Sequence, residues 1–404
     1  MTDRVAEAGP GSIRSRSPGT AILLALFLAR ILVLLLAGRP WDREAWASWT
    51  MEPDSHNYLA LAADLSDGVQ DSASTRTPGY PAVLCASSAC VTGSTLPVVL
   101  LQQLADLATA LAIGGMAVRT GCRHWWTAPA CFLVLPAAAA TSSRILPDTL
   151  LALVSAASCL VWLHAVQTLS PRRLAASYGL IGLLLSAGAL LKPVLLFAPA
   201  VYIVLAPLTA VRSFAGRAAA VLLMLLAASA GPLAWRHHNR VSFGLDAVSA
   251  QDGYEQAGRI WILTGRTTQY EFLTSVTDSV EALSTFDGIV DYDRRNAIYR
   301  EMALEELGRH PVAVVIPHLT SWPRFFSTGV GNTMRYLGLP PGEPVETLLK
   351  AASAMVILAI PAGFALGVAV RRVRRRLGAL LPLAGAWTVV MAIVHGPLAG
   401  PRYG

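Results

Sequence analysis

About nine stretches of this sequence are apolar over nearly the length of roughly 20 residues that a helix needs to cross a bilayer. They cover residues 21–36, 96–118, 126–140, 145–166, 175–191, 193–210, 218–235, 345–370 and 377–395. Hydrocarbon offers no partner to a backbone N–H or C=O, so each stretch has to satisfy its own hydrogen bonds as a helix. Composition agrees. A soluble domain is about one quarter charged, whereas these 404 residues are 14% charged and 54% hydrophobic. The expected fold class is an all-α polytopic membrane protein.

The basic residues set an orientation, because cytoplasmic loops collect Lys and Arg. With Arg4, Arg14 and Arg16 inside, alternation places Arg119 and Arg123, Arg172 and Arg173, Arg212 and Arg217, and the cluster from Arg371 to Arg376 inside as well. This holds if residues 78–91 lie along the outer surface without crossing. The division that follows is a polar, disordered tail over 1–20, a first transmembrane helix over 21–38, and a first extracytoplasmic loop with juxtamembrane helices over 39–95. Transmembrane helices two to seven then occupy 96–235, an extracytoplasmic loop or small domain 236–344, and the C-terminal transmembrane helices 345–404. The first apolar run is too long, and too soon followed by others, for a cleaved signal. The net charge of +7 is explained by topology, and without basic tracts interleaved with aromatics it does not point to nucleic acid. The five cysteines, Cys85, Cys90, Cys122, Cys131 and Cys159, show neither metal nor redox spacing and read as small apolar residues. No internal repeat or matched pair of broken helices is visible, which weighs against a secondary transporter.

Between Asp71 and Asp246 the acidic residues are Asp106 and Asp148 alone, and an acid next to lipid is a site candidate by default. Asp106 has an obvious partner in Arg30 of the first span. Asp148 opens the fourth span, where the helix dipole favours an acid and Arg144 stands ready to pair with it. Asp54 begins the apolar-periodic stretch Tyr58, Leu59, Leu61, Leu65; it reads either as a helix N-cap or as a carboxylate at a cavity mouth, and both can hold. Arg76 precedes the turn Thr77, Pro78, Gly79, Tyr80, Pro81, whose prolines and glycine fix the backbone. There an arginine either grips a phosphate or snorkels to headgroups. Lys192, one of two lysines in the chain, precedes Pro193 at the outer surface and carries the same two readings. His237 and His238 are adjacent, diverge, and read as exposed loop residues. Residues 296–307 read as a helix with Tyr299, Met302, Ala303 and Leu307 on one face, suited to rest on the membrane surface and ended by Gly308 and Pro311. Residues 312–326 read as interfacial.

The order of these features, acid–Ser–x–x–Tyr in the first outer loop, Arg-x-Pro-Gly-Tyr-Pro, an acid heading the fourth span, a basic residue before proline heading the sixth, and a late Arg402-Tyr403, resembles the GT-C superfamily of membrane glycosyltransferases. Within it, the protein O-mannosyltransferase and lipid A aminoarabinose transferase group is most similar. The resemblance runs from about Leu23 to Tyr403, and implies a GT-C-like bundle. It further implies a sugar donor on a polyprenyl phosphate, a lipid, polysaccharide or protein acceptor, and inverting transfer without metal or cofactor. It places the catalytic base at Asp54, phosphate contacts at Arg76, Lys192 and Arg402, and positioning roles at Asp148, Tyr58 and Asp106. Pro78, Gly79, Tyr80 and Pro81 form the motif turn. Two departures stand out. Many relatives carry a second acid where Ser55 stands, and their Arg-Tyr leads into a further turn and span whereas this sequence stops at Gly404, which leaves the roles of Arg402 and Tyr403 open. The rival readings are a transporter or flippase of lipid-linked sugars, using Asp106, Asp148 and Arg30 as a pathway, and a non-catalytic scaffold whose outer domain binds a partner.

Overall fold

The computed structural model describes residues 18–67, 76–87, 89–250, 252–268, 271–287, 289–313, 344–351 and 378–395, with Met334, Tyr336, Met355, Ala365 and Ala369. Most of the eighth expected span, the 371–376 arginines, the N-terminal tail up to 17, residues 314–326 of the interfacial stretch, Arg402 and Tyr403 lie outside the described residues.

The chain is a predominantly helical, multi-pass membrane protein. It runs through α1 (Pro18–Gly38), α2 (Arg43–Thr50), α3 (Pro53–Asp67), α4 (Gly79–Ala86), α5 (Ala89–Thr92), α6 (Leu96–Arg119), α7 (Thr127–Val134), α8 (Pro136–Ser142), α9 (Asp148–Ala165) and α10 (Pro171–Leu191). A 3₁₀ turn over Pro193–Phe197 leads into α11 (Pro199–Leu205) and the long α12 (Phe214–Phe243). Then come α13 (Asp252–Leu263), a π turn over Phe272–Val276, α14 (Thr277–Ser284), the hairpin β1 (Thr285–Phe286) and β2 (Ile289–Val290), α15 (Tyr292–Arg309) and α16 (Leu380–His395).

Among the described residues, five helices are long and apolar enough to cross a membrane: α1, α6, α9, α10 and α12. The third expected span is divided into α7 and α8, since Leu135 is extended at φ −65°, ψ 115° and Pro136 cannot donate to the preceding turn. The sixth is divided likewise after Lys192, by prolines at 193, 199 and 207. The seventh runs past its expected end at 235 to Phe243, where Gly244 in the left-handed region at φ 66° closes it. Residues 79–86 form a short helix outside the five long ones.

Packing is tightest where small residues let helices approach. At Gly182 of α10 an added Cβ would meet the Met224 carbonyl of α12, so these backbones touch. The main core joins α3, α4, α6 and α9 to α12 around Tyr58, Tyr80, Trp162, Tyr178 and Tyr202, all nearly inaccessible. A separate small core unites α13 and α15 around Ala257, Phe272, Val280, Tyr299 and Ala303. On α15 the buried positions are Asn296, Tyr299, Ala303 and Glu306, while Leu307 is exposed. Its apolar face is therefore spent on α13, where the sequence suggested a membrane surface. The helix is longer than the expected 296–307 at both ends, beginning at Tyr292 and running through Gly308 to Arg309, two residues before Pro311.

Candidate active site

The first outer loop is folded by its own short-range chemistry. Pro53 opens α3, the Glu52 N–H donates to Ser55 Oγ at 2.9 Å, and the Ser55 N–H donates to the Glu52 carbonyl at 2.9 Å. Ser55, not Asp54, closes this capping arrangement. Asp54 lies inside the first helical turn, where its carboxylate pairs with Arg76, Nη2 to Oδ1 at 2.7 Å. The Arg76 guanidinium stands 5.2 Å over the Tyr58 ring, one helical turn beyond Asp54, and Tyr58 meets Tyr80 edge-on at 5.1 Å. Arg76 is 13% exposed and Asp54 32%, so the carboxylate forms the open side of the pair.

A second pair acts electrostatically on the same Tyr58. Asp148 occupies the first turn of α9, and Lys192 follows the last turn of α10 in extended conformation. The antiparallel α9–α10 hairpin brings Nζ within 3.0 Å of Asp148 Oδ1. Glycine explains how the Arg76 turn reaches this point. A Cβ at Gly79 would lie 2.6 Å from the Leu190 carbonyl carbon and 2.8 Å from Leu191 N, so the turn rests directly on the backbone preceding Lys192. Tyr58 feels the charges of both pairs. Burial pushes its phenol above the ordinary range against the pull of Arg76 and Lys192, while Asp148 and Asp54 act in the same direction as burial. Tyr58 is therefore a neutral hydrogen-bond donor at pH 7, within electrostatic reach of two cations and two carboxylates.

Sequence reasoning missed Glu52. Its carboxylate forms an ion pair with Arg144, Nη1 to Oε1 at 2.9 Å, and the Arg144 side chain is 2% exposed. Arg144 thus pairs with the first outer loop, not with Asp148 as its position suggested; Asp148 takes Lys192. The signal was present in Glu-Pro-Asp, which places a second acid before Asp54. The loop is further stitched by Ser55 Oγ donating to the Ile145 carbonyl at 3.0 Å and by Ile145 N–H to the Thr50 carbonyl at 3.0 Å.

Asp106 stands apart. It takes Arg30 Nη2 at 2.5 Å deep between α1 and α6, and the same nitrogen donates to Ser142 Oγ at 2.8 Å. Arg30 Nε and Nη1 are buried and make no hydrogen bond among the described residues. His238 stacks on Trp235 at 4.8 Å within the final turns of α12, in place of the exposed loop expected for it. Among the described residues no three His, Cys, Asp or Glu side chains gather so as to hold a metal ion.

An apolar groove of about 260 Å³ lies between α10, α12 and the Pro193–Phe197 turn, lined by Leu185, Ala189, Leu195, Leu225 and Leu233 among others, with Arg236 also on its wall. Its lining residues bracket Lys192 in sequence. At the opposite end of the long helices Arg119 meets His164 at 2.6 Å and Gly216 packs on Pro171, so the loops bearing Arg119, Arg172 and Arg217 gather away from Asp54.

No protein-family model matches the chain, and no curated protein matches it.

Proposed function

We propose that this protein is a membrane glycosyltransferase of GT-C type. It would move a sugar from a polyprenyl-phosphate donor to an acceptor hydroxyl at the extracytoplasmic face, within a bundle of about nine spans. The observation that carries this reading is the pairing of Asp54 with Arg76 and of Asp148 with Lys192, all four within electrostatic reach of Tyr58, at the end of the bundle away from the loops bearing Arg119, Arg172 and Arg217.

Each group has a role that balances the reaction. The acceptor O–H gives its proton to the Asp54 carboxylate as its oxygen bonds to the anomeric carbon. The bond from that carbon to the phosphate oxygen breaks, and the lipid phosphate leaves with the electron pair. Arg76 and Lys192 take up the charge growing on it, and Tyr58 adds a neutral O–H. A donor phosphate competes with the two carboxylates for their cations, so its arrival loosens Asp54 from Arg76 where a base is needed. Asp148 holds Lys192 until then. The apolar groove between α10, α12 and the Pro193–Phe197 turn suits the apolar tail. Arg30 and Asp106 are paired with each other and buried between α1 and α6, which favours a structural pair over a transport pathway.

The test is incubation of the purified protein with a panel of radiolabelled polyprenyl-phosphate sugars, together with membrane lipid, polysaccharide and protein fractions that supply acceptor hydroxyls. Wild type should release free polyprenyl phosphate from at least one donor, and Arg76→Ala and Lys192→Ala should each slow this by about 10²–10³-fold. No release from any donor, or full activity in both variants, sinks the proposal.

A further inference from the structure

We infer that Gln102 is a positioning residue that holds the two halves of the phosphate site in register, an inference that rests on the reading above. Gln102 belongs to α6 and is wholly inaccessible. Its side-chain amide is engaged at both ends. Oε1 accepts from the Tyr80 hydroxyl at 2.6 Å, and Nε2 donates to the carbonyls of Ser142 at 2.9 Å and Arg144 at 2.6 Å.

The partners are the reason to assign it this role. Tyr80 sits in the Pro78–Pro81 turn that carries Arg76 and abuts Leu190 and Leu191 ahead of Lys192. Ser142 and Arg144 lie in the loop that ends in Asp148, and Arg144 pairs with Glu52, two residues before Asp54. One amide therefore ties the cation-bearing turn to the acid-bearing loop. An amide is the side chain that can do this, since it offers an acceptor and two donors on one plane. A carboxylate would face two carbonyl oxygens, and a leucine would leave a phenol and two carbonyls unsatisfied. Gln103 completes the seam by donating to Ser142 Oγ at 2.9 Å, the oxygen that also receives Arg30.

The test reads ligand affinity in dodecyl maltoside micelles with farnesyl phosphate as the probe, well below the unfolding temperature, where a merely destabilised protein is still fully folded and binds normally. Gln102→Leu should weaken binding by about ten-fold or more, in line with the cost of small displacements in a positioned site. Tyr80→Phe should weaken it less, and the double variant should match Gln102→Leu alone, because the Tyr80 hydroxyl acts through Gln102. Wild-type affinity in Gln102→Leu, or additive losses in the double variant, would overturn the inference. Should Gln102→Leu not fold, Gln102→Glu and Tyr80→Phe serve instead; unchanged affinity in both overturns it equally. Failure of wild type to bind farnesyl phosphate, or binding indifferent to Arg76→Ala, removes the site reading itself and this inference with it.

Discussion

Arg30 and Asp106 show what a charge costs inside the bundle. Their side chains are 7% and 3% exposed, so neither can be left alone. Asp106→Ala strands a guanidinium with two donors already unpartnered, and should destabilise the protein by about 3–5 kcal/mol. The double change Arg30→Leu with Asp106→Leu should be far milder, close to neutral, as for other buried pairs replaced by apolar groups. Chemical denaturation in detergent of the two variants checks this; equal losses in both would contradict it. Gly79 is the other sensitive residue. Gly79→Ala drives a methyl into the Leu190–Leu191 backbone, which has no rotamer to yield. The Arg76 turn must lift, at about 1–3 kcal/mol of overpacking, and farnesyl phosphate binding should fall with the unfolding midpoint.

At the scale of elements, the end of α12 offers a pH test. Hydrogen bonds from Arg236 at 2.9 and 2.7 Å hold the Asp246 carboxyl below its usual range. A depressed folded value means that the stability is present above the unfolded value of about 3.9 and is lost as pH falls through the folded one. Hydrogen-exchange protection of residues 240–246 should therefore drop on acidification in wild type, and be lower but pH-insensitive in Asp246→Asn. Identical acid profiles would refute the link. The helices themselves were unevenly legible. Long apolar runs without proline, such as residues 21–36 of α1 and 175–191 of α10, read directly, because the hydrocarbon leaves a spanning segment to satisfy its own backbone as a helix. The breaks at Pro136 and inside the 193–210 run at Pro199 and Pro207 did not, since apolar length says nothing of where a bundle needs a loop inside it. Composition also could not say whether Asp54 capped α3; that depended on Ser55 reaching back to Glu52. Nor could it choose a partner for Arg144, which lies four residues from Asp148 yet points across the loop to Glu52.

Over the whole molecule, the helices separate an acidic, aromatic end holding Asp54 and Asp148 from an arginine-rich end holding Arg119 and Arg172. Under the proposed orientation the arginine end is cytoplasmic. Cys122 lies beside Arg123 and is exposed, so it reports on that end. In right-side-out vesicles, a variant retaining only Cys122 should resist a membrane-impermeant maleimide, and in inverted vesicles it should react; the opposite pattern would turn the protein over and place Asp54 in the cytoplasm. The most direct test of the central claim is the effect of Asp54→Asn on turnover of whichever polyprenyl-phosphate sugar wild type consumes. The account requires kcat to fall about 10²–10⁴-fold while donor affinity stays within a few-fold. An Asp54→Asn protein that turns over at the wild-type rate would contradict it.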